Sequence, residues 1–230
     1  TLLPTLQKAG TGNLPTTCGE ISVIPNATLS SAVKNADLGL SLVMFVVAHS
    51  VDSESVLAYA ARCVSVTDAD SPSGSARRSI YGFTNINPSN LDVSEGSFRQ
   101  TVYTVMHETM HAMGFSSVAE QMSVPKGVHQ VMTPIYAITT PHVIAVARDF
   151  YQDESITYVE FEDVGGSGTA GAHWKKRQFY NEIMTGTSSL YSVVSNFTLA
   201  FFEDLGVYKV DYTQAEPLAW GKGMGRAFYD

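Results

Sequence analysis

His107 and His111 stand four residues apart in Val105-Met-His-Glu-Thr-Met-His-Ala-Met-Gly-Phe-Ser-Ser117, and Glu108 directly follows the first. On a helix, residues at i and i+4 share one face, one turn apart. Two imidazoles placed this way can grip one Zn²⁺, and a carboxylate beside them can act as general base on a water at the metal. Polar side chains on a largely apolar helix also need a reason, because each unpaired buried polar group costs roughly 1–3 kcal/mol. Two histidines alone make a poor zinc site. In the extended motif H-E-x-x-H-x-x-G-x-x-H a third histidine follows the glycine by three positions. Here the glycine is Gly114, and the position beyond it is Ser117.

The third ligand must come from further along or from elsewhere. The candidates are His49, His129, His142, His173 or a downstream carboxylate. Glu120, Glu154, Glu160 and Glu162 sit in no clear helix, which argues against a glutamate ligand on a second helix. His173 has the best setting. It follows the run Gly165-Gly-Ser-Gly-Thr-Ala-Gly171, whose glycines let backbone enter a tight space. Met184 comes later, in Asn181-Glu-Ile-Met-Thr-Gly186, a pattern that fits a tight turn placing a methionine beneath the ligands. A lone methionine is more often plain core; the ordered combination is what carries specificity.

The elements that must position these groups follow from pattern. Ser97–Met113 reads as a helix, with Ser94 or Ser97 able to cap it. Phe98, Val102, Val105, Thr109 and Ala112 form one stripe, and Met106, Met110 and Met113 a second, so the helix is expected to be largely buried. Gly114 ends it, as expected where the chain takes positive φ. Leu38–Val47 and Ser79–Ile86 read as strands, and Ser53–Arg62 as a short helix or an extended lead-in to Cys63. Residues 116–164 read as a mixed segment with turns at Pro125, Pro134 and Pro141 and a short helix within 137–150. Tyr191–Leu205 has the pattern of an amphipathic helix, and 210–230 reads as irregular.

The 230 residues are enough for one large domain or two modest lobes. A formal net charge of −8 with scattered basic residues argues against a nucleic-acid surface. The longest apolar run, Leu38–Ala48, is too short to span a bilayer, which takes about 20 residues. Two cysteines, Cys18 and Cys63, allow at most one internal bridge; they read as two buried thiols or as a disulfide, which would contribute on the order of 3–4 kcal/mol. The sequons at Asn26 and Asn196 fit a secretory route.

Taken together, "YAARCVS", "HETMHAMGFS", "GTAGAHWKKR", "NEIMTG", "LAFFEDLGVY" and "AEPLAWG" resemble the leishmanolysin family of surface metalloproteases, from about Cys18 to Trp220. That family belongs to the metzincin clan, with its third histidine delayed by a long insertion. The resemblance implies an α+β fold: a twisted sheet and the active-site helix in an upper lobe (1–114), and a mostly irregular and helical lower lobe (115–230). It implies His107, His111 and His173 as ligands of one zinc, Glu108 as general base, Met184 as the Met-turn residue, Gly114 as the pivot below the cleft, and a Cys18–Cys63 disulfide. Relatives carry two further cysteines, near Asp153 and near Arg226; both are missing here, and an Asp153–Arg226 ion pair is the expected substitute. Relatives also begin before Thr1 and continue past Asp230. This implies association with an N-terminal part and leaves room for membrane anchoring through segments outside this chain.

The expected activity is therefore hydrolysis of peptide bonds in protein or peptide substrates, with no nucleic-acid partner, outside the cell or at its surface. The competing readings are a protease-like adhesion or structural protein with little activity, and a non-proteolytic zinc hydrolase.

Overall fold

A computed structural model describes residues 17–18, 21–22, 42–68, 76–92, 94–116, 120–126, 131–166 and 168–229. The expected strand at 38–47 lies only partly within these residues; what is described of it is β3, Val43–Ala48. His129, Asn26 and Ser117 lie outside the described residues.

Two short strands, β1 (Thr17–Cys18) and β2 (Ile21–Ser22), pair antiparallel. Strands β4 (Ala58–Asp68) and β5 (Ala76–Ile86) form a long antiparallel pair, and β3 joins β5 in parallel, giving the order β3-β5-β4. The helical alternative for 53–62 is thus not adopted. Ala58, Ala60 and Ala61 favour a helix locally, but their backbone groups pair with Ile86, Thr84 and Phe83, and tertiary pairing overrides the propensity. The register slips around Cys63, between Arg62 and Val64 and again before Ser65, a bulge that re-aims the chain there.

Helix α1, Phe98–Met113, lies on β4 and β5. Thr104, Glu108 and Ala112, spaced by four, form its buried line. The contact is close because β5 has no side chain at Gly82. A Cβ there would stand 2.7 Å from that of Ala112. The expectation of a largely buried helix is corrected on the opposite face: Phe98, Val102 and Met106 are 64%, 39% and 36% exposed. Capping is corrected as well. Neither Ser94 nor Ser97 caps a helix end; both hydroxyls donate to the Asp92 carboxylate, at 3.0 and 2.7 Å. Gly114 ends α1 at φ 129°, and its N–H reaches back to the Met110 and His111 carbonyls.

After α1, β6 (Glu120–Lys126), β7 (Val131–Ile138) and β8 (Val159–Phe161) form a second antiparallel sheet in that order. Two of the expected proline turns are ladder positions instead. Pro125 is on edge strand β6, and Pro134 is on β7 where β8 does not extend, since β8 pairs only with Tyr136–Ile138. Proline is tolerated on such edges because no ladder N–H is required of it. Pro141 starts α2, Pro141–Tyr151. Its first N–H groups at His142 and Val143 are capped by the Asp204 carboxylate, both at 3.0 Å. Then come α3 (Lys176–Phe179), α4 (Asn196–Asp204), which is shorter than the expected 191–205, and α5 (Arg226–Tyr229) near the end. The fold is a mixture of helix and sheet, as an α+β chain requires.

The main core belongs to this second part. Phe115, Phe161, Trp174, Phe179 and Phe197 are essentially inaccessible and pack ring against ring. Phe115 directly follows Gly114, so the end of α1 is anchored in that core.

Candidate metal centre

His107 and His111 project from the same side of α1, as the i, i+4 spacing dictates. His173 arrives from a different direction. Strand β8 is extended by a bridge between Phe161 and Trp174, and Glu162 N–H donates to the His173 carbonyl at 2.8 Å. Between these points the chain turns over residues 168–172, with Gly171 at φ 72° lying against the Tyr136 ring. The positive φ and the close ring make glycine the fitting residue there.

The three Nε2 atoms converge. They are 3.0 Å apart for His107–His111, 3.0 Å for His111–His173 and 3.1 Å for His107–His173. Each outer nitrogen meets a backbone carbonyl: His107 Nδ1 that of Ile183 at 2.6 Å, His111 Nδ1 that of Phe115, and His173 Nδ1 that of Thr169 at 3.1 Å. A carbonyl only accepts, so the single proton of each neutral imidazole sits on Nδ1. That leaves three bare Nε2 lone pairs aimed at one another. Only a cation satisfies them together. Three nitrogens about 2.0–2.1 Å from one tetrahedral zinc lie roughly 3.3 Å apart, so the triad is near the size such an ion requires. These residues can hold a metal ion.

Electrostatics favour the same state. Burial, with the neighbouring His173, pushes His107 down to about 4. Burial also pushes His111 and His173 down, with His107 and His173 adding to the effect at His111. All three are therefore neutral and ligand-ready at physiological pH. Burial raises the Glu108 carboxyl to about 8.

The other histidine candidates are elsewhere. His49 is exposed, and its backbone is tied to the Asn85 amide. His142 Nδ1 pairs with Asp204 at 2.7 Å. Of the carboxylates, Glu160 bonds Lys126 and Gln178, and Glu162 accepts from Lys176 N–H at 3.0 Å.

A family model described as leishmanolysin, peptidase M8, matches residues 7–230. The chain belongs to the leishmanolysin family. It is 36% identical over 218 residues to a leishmanolysin homolog of Crithidia fasciculata, a match covering 92% of this chain and 30% of that protein. It is 34% identical over 217 residues to leishmanolysin of Leishmania donovani, covering 92% and 34%. It is 33% identical over 215 residues to a leishmanolysin-like peptidase of Drosophila melanogaster, covering 75% and 30%. The chain thus spans about a third of the length of these curated relatives.

Against this leishmanolysin background, Met184 is fully buried, and its carbonyl accepts from Trp174 N–H, the residue after His173, at 2.9 Å. The Met184 segment also runs beside the His173 segment through a parallel bridge between Trp174 and Thr185. Sequence reasoning missed the groups that orient the ligands. The Ile183, Phe115 and Thr169 carbonyls are backbone atoms and leave no side-chain signature. Glu182 was also missed, although a lone carboxylate in the apolar context Ile183-Met184 was a signal that could have marked it.

Proposed function

We propose that this chain carries the catalytic unit of a zinc-dependent endopeptidase acting on proteins or peptides. The observation that carries the reading is the convergence of His107, His111 and His173, each with its outer nitrogen held by a carbonyl. Family membership supports it, because the relatives are named as leishmanolysins and leishmanolysin-like peptidases. His107, His111 and His173 would hold a zinc ion, which would supply a Lewis acid and lower the pKa of a water at the site. Glu108 takes a proton from the attacking water and delivers it to the leaving amine nitrogen. Burial raises the Glu108 carboxyl to about 8, which strengthens it as a base, and the charge of a metal held beside it would favour its ionised form at neutral pH.

The wider assignment follows the family. Residues 1–114 form an upper lobe and 115–230 a lower one, with an extended substrate lying between them and recognised largely through its main chain. Gly114 acts as the pivot and Met184 as the Met-turn beneath the ligands. A Cys18–Cys63 disulfide fits the packing of β1, which ends at Cys18, against β4, which contains Cys63. The protein acts at the cell surface or outside the cell; among the described residues no helix is long and apolar enough to cross a membrane.

The test is casein cleavage by the full-length protein with its metal content measured. Wild type holds one zinc per chain and loses activity to a chelator. Glu108→Gln keeps the zinc and cuts about 10²–10⁴-fold more slowly. His173→Ala loses the zinc. Zinc-loaded wild type that cuts nothing, or Glu108→Gln that cuts as fast, defeats the protease reading.

A further inference from the structure

Two residues before Met184 stands a carboxylate that the reaction does not use. Glu182 is 1% exposed. Four donors converge on it. Oε2 accepts from Met184 N–H at 2.6 Å; Oε1 accepts from Ser195 N–H at 3.3 Å, from Ser195 Oγ at 3.0 Å and from the Thr198 hydroxyl. Burial pushes the Glu182 carboxyl up to about 7 while these four bonds pull it back down; in its ionised form it is purely an acceptor and matches all four donors. Burying one is costly unless such bonds compensate it.

We propose that Glu182 is a positioning residue for the metal centre, holding the turn that aims His107 and the segment that carries His173. The proposal rests on the zinc reading above. The connection to His107 is one residue long. With Met184 N–H fixed by Glu182, the intervening Ile183 presents its carbonyl to His107 Nδ1 at 2.6 Å. Ile183 N–H is itself held by the Val193 carbonyl at 2.8 Å, so the peptide units on both sides of Ile183 are anchored. The connection to His173 runs the other way. Thr198, which donates to Glu182, accepts from Trp174 Nε1 at 3.0 Å, and Trp174 is covalently next to His173. Ser195 shows that the arrangement is specific: it stands at the N-cap of α4, yet its hydroxyl makes no cap and turns to Glu182 instead. One carboxylate therefore braces ligands that come from two separate stretches of chain. Groups that orient metal ligands in this way change affinity when lost, even without touching the ion.

Glu182→Gln tests this with nearly unchanged volume. The amide places N–H groups against Met184 N–H or against Ser195 N–H, so at least one donor loses its acceptor. The measurements on the full-length protein are zinc affinity by chelator competition, the visible spectrum of the cobalt-substituted form, and kcat and KM separately. The expected result is about a tenfold or greater loss of zinc affinity, a shifted cobalt spectrum, and a fall in kcat at similar KM. Val143→Ala, in the core of α2 and outside this network, controls for lost stability: it lowers Tm but leaves affinity and spectrum unchanged. If Glu182→Gln does not fold, Thr198→Val cuts the branch to Trp174 alone and is expected to give a smaller loss of affinity with a shifted spectrum. Wild-type affinity and spectrum in the variant that folds, whatever its Tm, overturn the positioning role while leaving the zinc reading intact. A wild type that binds no zinc overturns both.

Discussion

The sheet of β3, β4 and β5 supports α1 and its two histidines, whereas the segment after α1 supplies His173, and among the described residues different amounts of buried structure stand behind the two. In the sheet, Phe83 is the centre of a small cluster, with Phe45, Tyr59, Ala61 and Cys63 only partly buried around it. After α1, a continuous core runs from Phe115 through the second sheet, α2 and α4 to Tyr229. The division of labour at the site follows. Two of the three converging histidines sit on α1, which lies on the thin sheet. All three carbonyls that orient them, on Phe115, Thr169 and Ile183, belong to the dense part. The motif that is easiest to read is thus aimed by the region that is hardest to read.

Equal cuts in the two regions must therefore cost unequally. Phe115→Ala removes a ring stacked on Phe161, edge-on to Trp174 and tilted against Phe201, all three buried. It is expected to cost about 3–5 kcal/mol, read from urea denaturation midpoints. Phe83→Ala leaves its gap beside partly buried neighbours that can relax, and falls at the bottom of that range, about 3 kcal/mol. Equal losses would break the comparison.

The same asymmetry explains what was legible. His107, Glu108, His111 and Gly114 lie within one helix and its stop, so local spacing and a single positive φ exposed them. His173 needed the glycine run and the family resemblance, because it meets the other two through tertiary structure alone. Strand β4 was ambiguous because its alanines suit a helix until β5 is present to pair with them. The prolines at 125 and 134 looked like turns because edge position in a sheet cannot be seen along a sequence. The serines before α1 looked like caps because a competing carboxylate, Asp92, is visible only in three dimensions.

A second probe addresses the rigidity of the dense side directly. Gly186 carries no side chain where a Cβ would stand 2.4 Å from Thr169 Cγ2 and 3.6 Å from His173 Cγ. Thr169 is β-branched and stiff at χ1, and its carbonyl is the one that orients His173. Gly186→Ala is expected to cost about 1–3 kcal/mol by overpacking, and to weaken zinc binding as the turn shifts. Thr169→Ser, which deletes Cγ2, should restore much of the loss in the double variant. Coupling of at least about 0.5 kcal/mol between the two changes is the expected signature. Strict additivity would mean that the two residues do not press on each other.

The weakest expected effect lies at the far end of the dense region, between the end of α2 and the start of α5. There the Asp153 carboxyl is held below its usual range, first by the Ser155 hydroxyl and N–H at 2.6 and 2.8 Å, and then by the charge and backbone N–H of Arg226. Hydrogen bonds from Gly223 to Phe150 and from Gly225 to Tyr151, each 2.8 Å, close the same junction. The tie thus joins the end of α2 to the start of α5 by polar contacts that solvent reaches. A depressed carboxyl stabilises the fold above its unfolded pKa, and the benefit is lost as pH falls through the folded value. Asp153→Asn should therefore lower Tm at pH 7 by no more than about 2 °C, since exposed polar ties are weak. The difference between variant and wild type should shrink as pH falls below 4 and as salt is raised. A difference unchanged by pH would assign the junction to the backbone bonds alone, with no part for the Asp153 charge.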